Sequence, residues 1–405
     1  MSQETPSEKT TQDLIIIGAG AAGLTAALGL AQAGWSLMLI GRADLSATAR
    51  TVALFDGSLK LLQNIGVLQR LRSDFAALET MRIVDDTGSL FRTPPVDFRA
   101  SEIGLDVFGE NIENRHLVRH LSEAVRQEPR ITWIEAQATS ATHDADAAHV
   151  TLNDGRIFSA KLLISAEGRK SMLRQAAGIE TRHWSYPQVA LTALLTHDRP
   201  HREISTEFHT RQGPFTLVPL PASDKAPHRS SLVWMMEPSE AHRREALDNE
   251  KLAADMTRQS HHLLGKLRLE GPRGSFPMSG LVAQKFAQNR IALIGDAAHG
   301  FPPIGAQGLN LGMRDIAHLV DCLNGAPDPG HPNVLAQYDG ARRSDVSTRV
   351  SGVDLLNRSL LTGFMPVDFL RGAGLLALAN IRPLKRMVMR EGVMPRGPVP
   401  RLMQA

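Results

Sequence analysis

Cysteine is almost absent: Cys322 is the one thiol among 405 residues. A single thiol cannot close a disulfide or build a cysteine zinc site within one chain, so the fold must rest on its core. A reducing compartment fits this usage. Tyrosine is nearly as scarce, with Tyr186 and Tyr338 alone, which leaves few phenols for acid–base work. No uninterrupted apolar run reaches about 18 residues, the length a spanning helix needs. The opening stretch MSQETPSEKTTQ is polar and of mixed charge, without the apolar centre of a secretory signal. Net charge is only +3, too little to argue for nucleic acid. None of the 15 histidines has zinc-site spacing with cysteine or carboxylate partners, and no nucleophile–base triad stands out. These gaps predict a cytoplasmic protein with an ordinary core. Its basic isoelectric point leaves room for weak attraction to an anionic membrane surface.

What is present is organised around buried strands and glycine-rich turns. Leu14–Ile17 is a continuous apolar run, as a strand covered on both faces should be. Leu24, Ala27, Leu28 and Ala31 then recur at helical spacing up to Gly34, and Leu37–Ile40 is a second buried strand. Between strand and helix lies Gly18-Ala19-Gly20-Ala21-Ala22-Gly23. In that setting Gly18 permits the tight turn, Gly20 lets backbone approach a pyrophosphate, and Gly23 lets the helix pack on the strand. The helix start at Ala21 and Ala22 offers N–H groups to phosphate. An acidic residue that binds ribose usually ends the second strand. Here Gly41 and Arg42 stand there, and Arg42 is read as lying on the adenine face or a phosphate.

Two later turns have the same character. Lys161–Ser165 is a buried strand followed by Ala166-Glu167-Gly168-Arg169-Lys170-Ser171, which can contact a pyrophosphate or a reduced nicotinamide, or form a solvated helix start. Ile291–Ile294 is another, followed by Gly295-Asp296-Ala297-Ala298-His299. Asp296 then sits at the carboxyl edge of the sheet, where ligands bind. Pro302 to Asn310 is a rigid loop feeding a helix near Leu309–Leu323, whose N-terminus would stabilise negative charge on a ligand. Between these ends, Met81–Val84 and Leu90–Arg92 read as a hairpin and Trp184–Glu237 as β-rich. Residues 59–71, 115–126, 239–269 and the tail beyond Val334 read as helical.

Together these motifs resemble the flavin-dependent aromatic hydroxylases typified by p-hydroxybenzoate hydroxylase. The glycine fingerprint, a mid-chain acidic-Gly pair (Glu167-Gly168, with glutamate for the family's aspartate) and a late Gly-Asp pair occur in the family's order. The ubiquinone-biosynthesis 2-polyprenyl-phenol hydroxylase branch is closer still. Arg50-Thr51-Val52-Ala53-Leu54, Glu113-Asn114-Arg115-His116-Leu117, Gly213 to Leu220 and Pro303 to Asp315 resemble its signatures. Pro302 stands where that branch has histidine, and Gly305-Ala306 where it has Ala-Gly.

The resemblance implies an α/β fold: a Rossmann-type FAD-binding domain from separated segments, an inserted β-rich α+β substrate domain and a helical C-terminal tail. The FAD-binding parts are 1–75, 101–180 and 276–330; the substrate parts are a hairpin, 76–100, and 181–275; the tail is 331–405. It implies FAD contacts at Gly18, Gly20, Ala21, Ala22, Gly23, Arg42, Arg50, Arg115, Glu167, Gly168, Gly295, Asp296, Pro303, Gly305, Gly308, Leu309 and Asn310. It implies NAD(P)H or another reductant, O2 as co-substrate, and a flavin C4a-hydroperoxide that hydroxylates a polyprenylated phenol. His299 lies near the expected flavin edge, either as a base for the phenol or as a residue that orders the loop. Other quinone-biosynthesis enzymes are expected partners. Residues 364–394 mix apolar and basic residues, which fits either a peripheral contact with the inner face of the membrane or a helical cap on the body. Rival readings are a monooxygenase of another aromatic or a polyene, and a flavin-bound scaffold without catalysis.

Overall fold

The computed structural model describes residues 12–46, 48–88, 93–302, 306–361, 380–393 and 398–404, with backbone alone at 350–361. The first sheet is built from distant parts of the chain. Its central order is Ala287–Gln288, Ile291–Leu293, Ile157–Ser165, Gln12–Ile17, Leu37–Ile40 and Ile131–Ile134. Four neighbouring pairs in that row, from Ile291–Leu293 to Ile131–Ile134, are parallel. Leu14, Ile15, Ile16, Leu39, Leu163 and Ile164 have no exposed surface. Burial on both faces is why these strands carry no polar alternation, and each side chain contributes about 1.5–3 kcal/mol. The strand expected at Lys161–Ser165 is the second half of a longer one, Ile157–Ser165. Its first half pairs antiparallel with Ala148–Leu152 and its second half parallel with Gln12–Ile17.

The helix Ala21–Gln32 ends before Gly34, which takes the left-handed φ of +100° that stops it. It packs against Asn114–Gln127 and Gln307–Leu323. The helix expected over 59–71 is two, Asp56–Asn64 and Leu68–Leu71, because Gly66 turns left-handed (φ +76°) between them.

The second sheet runs His299–Gly300, Leu267–Ala283, Thr181–His197, Arg229–Met236, Gly213–Leu220, Ile204–Thr210, Thr80–Asp85, Val96–Arg99. Two expectations change here. The segment 239–269 is helical only through Pro238–Glu245 and Asn249–Gln259, and from Leu267 the chain is a long strand. That strand carries the second sheet to Ala283, past the expected boundary at 275, and His299–Gly300 joins it from beyond. The periodicity misleads because the strand's outer part, Glu270 to Arg273, is polar and glycine-containing and so lacks alternation. The hairpin partner of Thr80–Asp85 is Val96–Arg99, and Leu90–Arg92, expected in that role, lies outside the described residues. One face of the sheet is closed by the helices Pro238–Glu245 and Asn249–Gln259, which cover Leu191, Phe208, Phe215, Leu217, Leu232 and Trp234. A third, small sheet (Thr51–Phe55, Gly109–Glu113, Ala76–Leu78) lies against the other face, through Asn111 Nδ2 to Pro219 O (2.8 Å) and Thr51 Oγ1 to Ser231 Oγ (2.9 Å).

Candidate active site

The opening turn is shaped by backbone contacts that exclude side chains. Gly18 has φ +111°, and a Cβ there would sit 2.4 Å from Ala166 O. A Cβ on Gly23 would sit 1.8 Å from Gly18 O. Gly20 differs: it is exposed, and a Cβ there meets nothing within 4 Å. The helix that begins at Ala21 and Ala22 has no side-chain cap and no acid in its first turn. Free N–H groups, the positive end of the dipole and an open approach at Gly20 suit a pyrophosphate. Gly41 explains why no ribose acid ends the second strand. It has φ +149°, and a Cβ would lie 2.8 Å from Ala19 N. Arg42 follows it, exposed, beside a hollow of about 360 Å³ that Gly18, Gly41, Gln137, Ala138, Asn153 and Glu167 also line. Gln137, Ala138 and Asn153 had no signal in the sequence, since they are an ordinary strand start and turn.

Glu167 does more than its motif suggests. Its Oε2 accepts hydrogen bonds from Ser165 Oγ (2.9 Å), Ser171 Oγ (2.9 Å) and Leu173 N (3.0 Å). The longer arm thus reaches back to cap the helix Met172–Ala176, and Gly168 (φ +77°) makes the turn that allows it. Arg169 emerges as a link between sheets. Its guanidinium donates to Ser279 Oγ (2.6 Å) and Phe301 O (3.1 Å), and its Nε lies 3.9 Å from Asp296.

The late turn meets the first. A Cβ on Gly295 would lie 3.3 Å from the Ala22 Cβ, so the two motifs abut although most of the chain separates them. Gly295 is left-handed (φ +58°), and its N–H donates to Asp315 Oδ2 (2.8 Å). Asp296 beside it is 53% exposed at the sheet's carboxyl edge, where ribityl hydroxyls of a flavin can donate to it. Asp315 is fully buried. It also takes His299 Nε2 (2.7 Å) and Arg342 Nε (2.7 Å), and Arg342 passes on to Asp345 (2.7 Å). Burial pushes the Asp315 carboxyl up, but His299, Arg342 and the Gly295 N–H more than offset it and hold it below the usual range. His299 has no exposed surface. Its ring is enclosed between Asp315, Phe286 and Phe301.

Pro303 and Gly305 lie outside the described residues. Ala306 (φ +53°) leads into the helix Gln307–Leu323, where Gly308 and Leu309 are half-buried in a first turn without a side-chain cap. Asn310 is an internal clamp. Its Oδ1 accepts from Phe55 N (2.9 Å) and Ser58 Oγ (2.7 Å), and its Nδ2 donates to Ala53 O (2.8 Å) and Ala306 O (2.7 Å). Those four bonds use the amide fully, so its part is to hold the helix start rather than to offer a free group. Arg50 is exposed at the mouth of the third sheet. Arg115 is held by Glu113 (2.9 Å), whose other oxygen meets the buried Arg229 (2.7 Å).

The residues present fit FAD: two abutting glycine turns, two uncapped helix starts and one exposed carboxylate at the edge of a parallel sheet. Residues 11–352 match the family model described as FAD binding domain. The chain is 33% identical to ubiquinone hydroxylase UbiL of Rhodospirillum rubrum, over 99% of this chain and 94% of that protein. It is 30% identical to 3-demethoxyubiquinol 3-hydroxylase of Escherichia coli, over 93% and 97%. Among solved structures, p-nitrophenol 4-monooxygenase PnpA of Pseudomonas putida has the same fold, with TM-score 0.77 at 18% identity over 96% of this chain and 99% of that one. HpxO of Klebsiella pneumoniae, complexed with FAD and uric acid, matches with TM-score 0.77 at 20% identity over 98% and 100%. The chain belongs to the FAD binding domain family, as a flavin-dependent monooxygenase of the ubiquinone-hydroxylase branch.

Proposed function

We propose that the protein is an FAD-dependent monooxygenase that hydroxylates the aromatic ring of a polyprenylated phenol in ubiquinone biosynthesis, with NAD(P)H as reductant and O2 as co-substrate. The observation that carries this reading is the meeting of the two turns, Ala22 against Gly295, with exposed Asp296 at the sheet edge. Relatives named as ubiquinone hydroxylases support the substrate class.

In this reading FAD supplies electron transfer and oxygen activation when bound. The chain's own residues bind and orient it. Gly18, Gly20, Ala21, Ala22 and Gly23 take the pyrophosphate, with Gly168 and Glu167 beside them. Arg42 lies along the adenosine end. Asp296 takes the ribityl chain and Gly295 lets it approach. The start of Gln307–Leu323, at Gly308 and Leu309, faces the pyrimidine edge, with Asn310 holding that start and Pro303 and Gly305 in the loop before it. Arg50 and Arg115 flank the isoalloxazine side. The parts 1–75, 101–180 and 276–330 form the FAD-binding domain, amended by the strand to Ala283, and 76–100 with 181–275 the substrate domain.

A polyprenyl phenol lives in a membrane, and the described part of the tail suits a protein that visits one. The helix Arg382–Val393 buries Met389 and Val393 against Phe98, and Lys385 Nζ binds Glu102 (2.6 Å). Its other side exposes Met387 (50%) and Val388 (44%) beside Arg386 and Arg390. The inner side is thus a cap, and the outer side is read as a peripheral contact at the inner face of the membrane. Residues 362–379 and 394–397 lie outside the described residues. No described helix is long and apolar enough to cross a membrane. Other quinone-biosynthesis enzymes are the proposed partners.

The test is genetic and chemical. A deletion strain should accumulate a prenylated quinone precursor lacking one hydroxyl, and the intact gene should remove it. Normal ubiquinone with no accumulated precursor would contradict the reading. Vesicle flotation of the full chain against Met387→Ser/Val388→Ser tests the membrane contact; equal flotation would remove it.

A further inference from the structure

The second sheet has two unlike faces. Along Ile204–Thr210, Phe208 points into the helix-covered core, so Glu207 and His209 point the other way. Registers extend that second face across the sheet. Glu207 pairs with Ile83 on one side and with Thr216 on the other; Thr216 pairs with Val233, and Val233 with Thr192. His209 pairs with Pro214, Pro214 lies beside Met235, and Met235 pairs with Ala190, which faces Phe276.

This face looks toward the third sheet and the start of the late helix. Ser231, on the same face, touches Thr51 of the third sheet. Ile83 and Ala306, at the start of the late helix, pack against one cluster containing Phe55 and Phe98. Thr216, Val218 and Val233 are only half-buried, although they lie mid-strand in a sheet whose other face is closed. Glu207 and Thr216 are thus polar neighbours on a face that leaves Val218 and Val233 partly uncovered.

The Glu207 carboxylate, 24% exposed, is held from behind. His209 Nε2 lies 2.7 Å from its Oε1, and Thr216 Oγ1 donates to its Oε2 at 3.3 Å. The His209 side chain is 6% exposed, and its Nδ1 is buried with no hydrogen-bond partner among the described residues. Burial pushes the Glu207 carboxyl up, but His209 and Thr216 more than offset it, so it is ionised at neutral pH. On the two strands paired with this one, Asp85 is the other titratable group on this face, and Thr87 occupies its Oδ1. Farther along, Arg229 is taken by Glu113 and Glu270.

We propose that Glu207 accepts the hydrogen bond of the substrate's phenolic hydroxyl, with His209 as the residue that positions it. This rests on the phenol-hydroxylase reading above. As an electrophilic oxygen bonds to the ring, the phenolic O–H pair enters the ring and its proton moves to Glu207. The proton returns to that oxygen when the attacked carbon releases its own proton to water. The acceptor also orients the ring: the hydroxyl is fixed at Glu207 while the apolar tail lies along the half-buried Val233 and Phe276.

The test uses holoprotein, a short-chain prenylphenol, NADH or NADPH, and Glu207→Gln, His209→Gln and His209→Leu. FAD affinity and melting temperature check each variant's fold. Glu207→Gln should bind the phenol about tenfold or more weakly, because a charged acceptor is lost. Its hydroxylation rate should fall about a hundredfold or more, with reducing equivalents diverted to hydrogen peroxide. The acidic limb of the pH–rate profile should disappear. His209→Gln, which can still donate to Glu207, should keep most activity, and His209→Leu should not. Wild-type-like binding, coupling and pH profile in folded Glu207→Gln would overturn the proposal while leaving the phenol-hydroxylase reading intact. If the wild type neither binds nor hydroxylates prenylphenols, that reading fails and the proposal falls with it.

Discussion

The turn at residues 18–23 and the turn at residues 295–300 abut at one site, yet they are held in opposite ways. The first is backbone on backbone: glycines at 18 and 23 stand where a Cβ would lie 2.4 Å or less from a carbonyl oxygen. The second hangs on buried charge: Asp315, in the helix that follows, ties the Gly295 N–H, His299 and, from the helix after it, Arg342. A contact made by missing side chains tolerates no addition. One made by a buried carboxylate tolerates no loss.

Variants at the two turns sharpen this contrast. The largest effect is expected at Asp315→Ala, which leaves the buried His299 without its carboxylate and the buried Arg342 with Asp345 alone. Denaturant unfolding should show a loss of about 3–5 kcal/mol, and a loss below 1 kcal/mol would break the buried-charge half of the contrast. Next is Gly23→Ala, near the upper end of about 1–3 kcal/mol, because backbone rather than a flexible side chain must yield. Gly20→Ala is its control. The added methyl meets nothing and φ is −82°, so melting should not move while FAD affinity falls. An equal melting shift in both variants would show that the glycines act through the fold alone. Asp296→Asn should weaken FAD by about tenfold, from a lost charged acceptor, without changing apo stability.

The smallest effect is a pH slope in the second region. Burial, then the charges of Arg342 and Arg314, lower the His318 pKa to about 4 from an ordinary 6.5. The unfolded chain therefore takes up this proton first as pH falls. The contribution of His318 is complete above pH 6.5, declines between 6.5 and 4, and is lost below that. His318→Gln should flatten the urea midpoint over that window relative to wild type. An unchanged slope would remove His318 from the account.

The same contrast explains what could be read in advance. Gly18 to Gly23 and its βαβ setting are local, so spacing alone exposes them. Asp296 is legible because a buried strand ends just before it. Asp315 is not, since an aspartate on an amphipathic helix reads as a solvated face until Arg342, in another helix, is folded against it. His299 attracted a catalytic reading by its nearness in sequence to the flavin edge, and that spacing gave no sign of its burial beside Asp315. Glu207 and His209 are invisible for a different reason. Alternation marks both as one face of a strand, but which face meets the cofactor depends on Thr51 touching Ser231, a pairing between residues far apart in the chain. The strand Leu267–Ala283 crosses the expected boundary at 275, and it was not legible because it lacks alternation where it is polar.

That two distant turns hold one flavin is tested most directly by equilibrium titration of the purified chain with FAD. The account predicts saturation at one FAD per chain, with affinity lowered by Gly20→Ala alone, by Asp296→Asn alone, and further by the two together. A protein that takes up no FAD, or whose affinity responds to only one of the two turns, would contradict it.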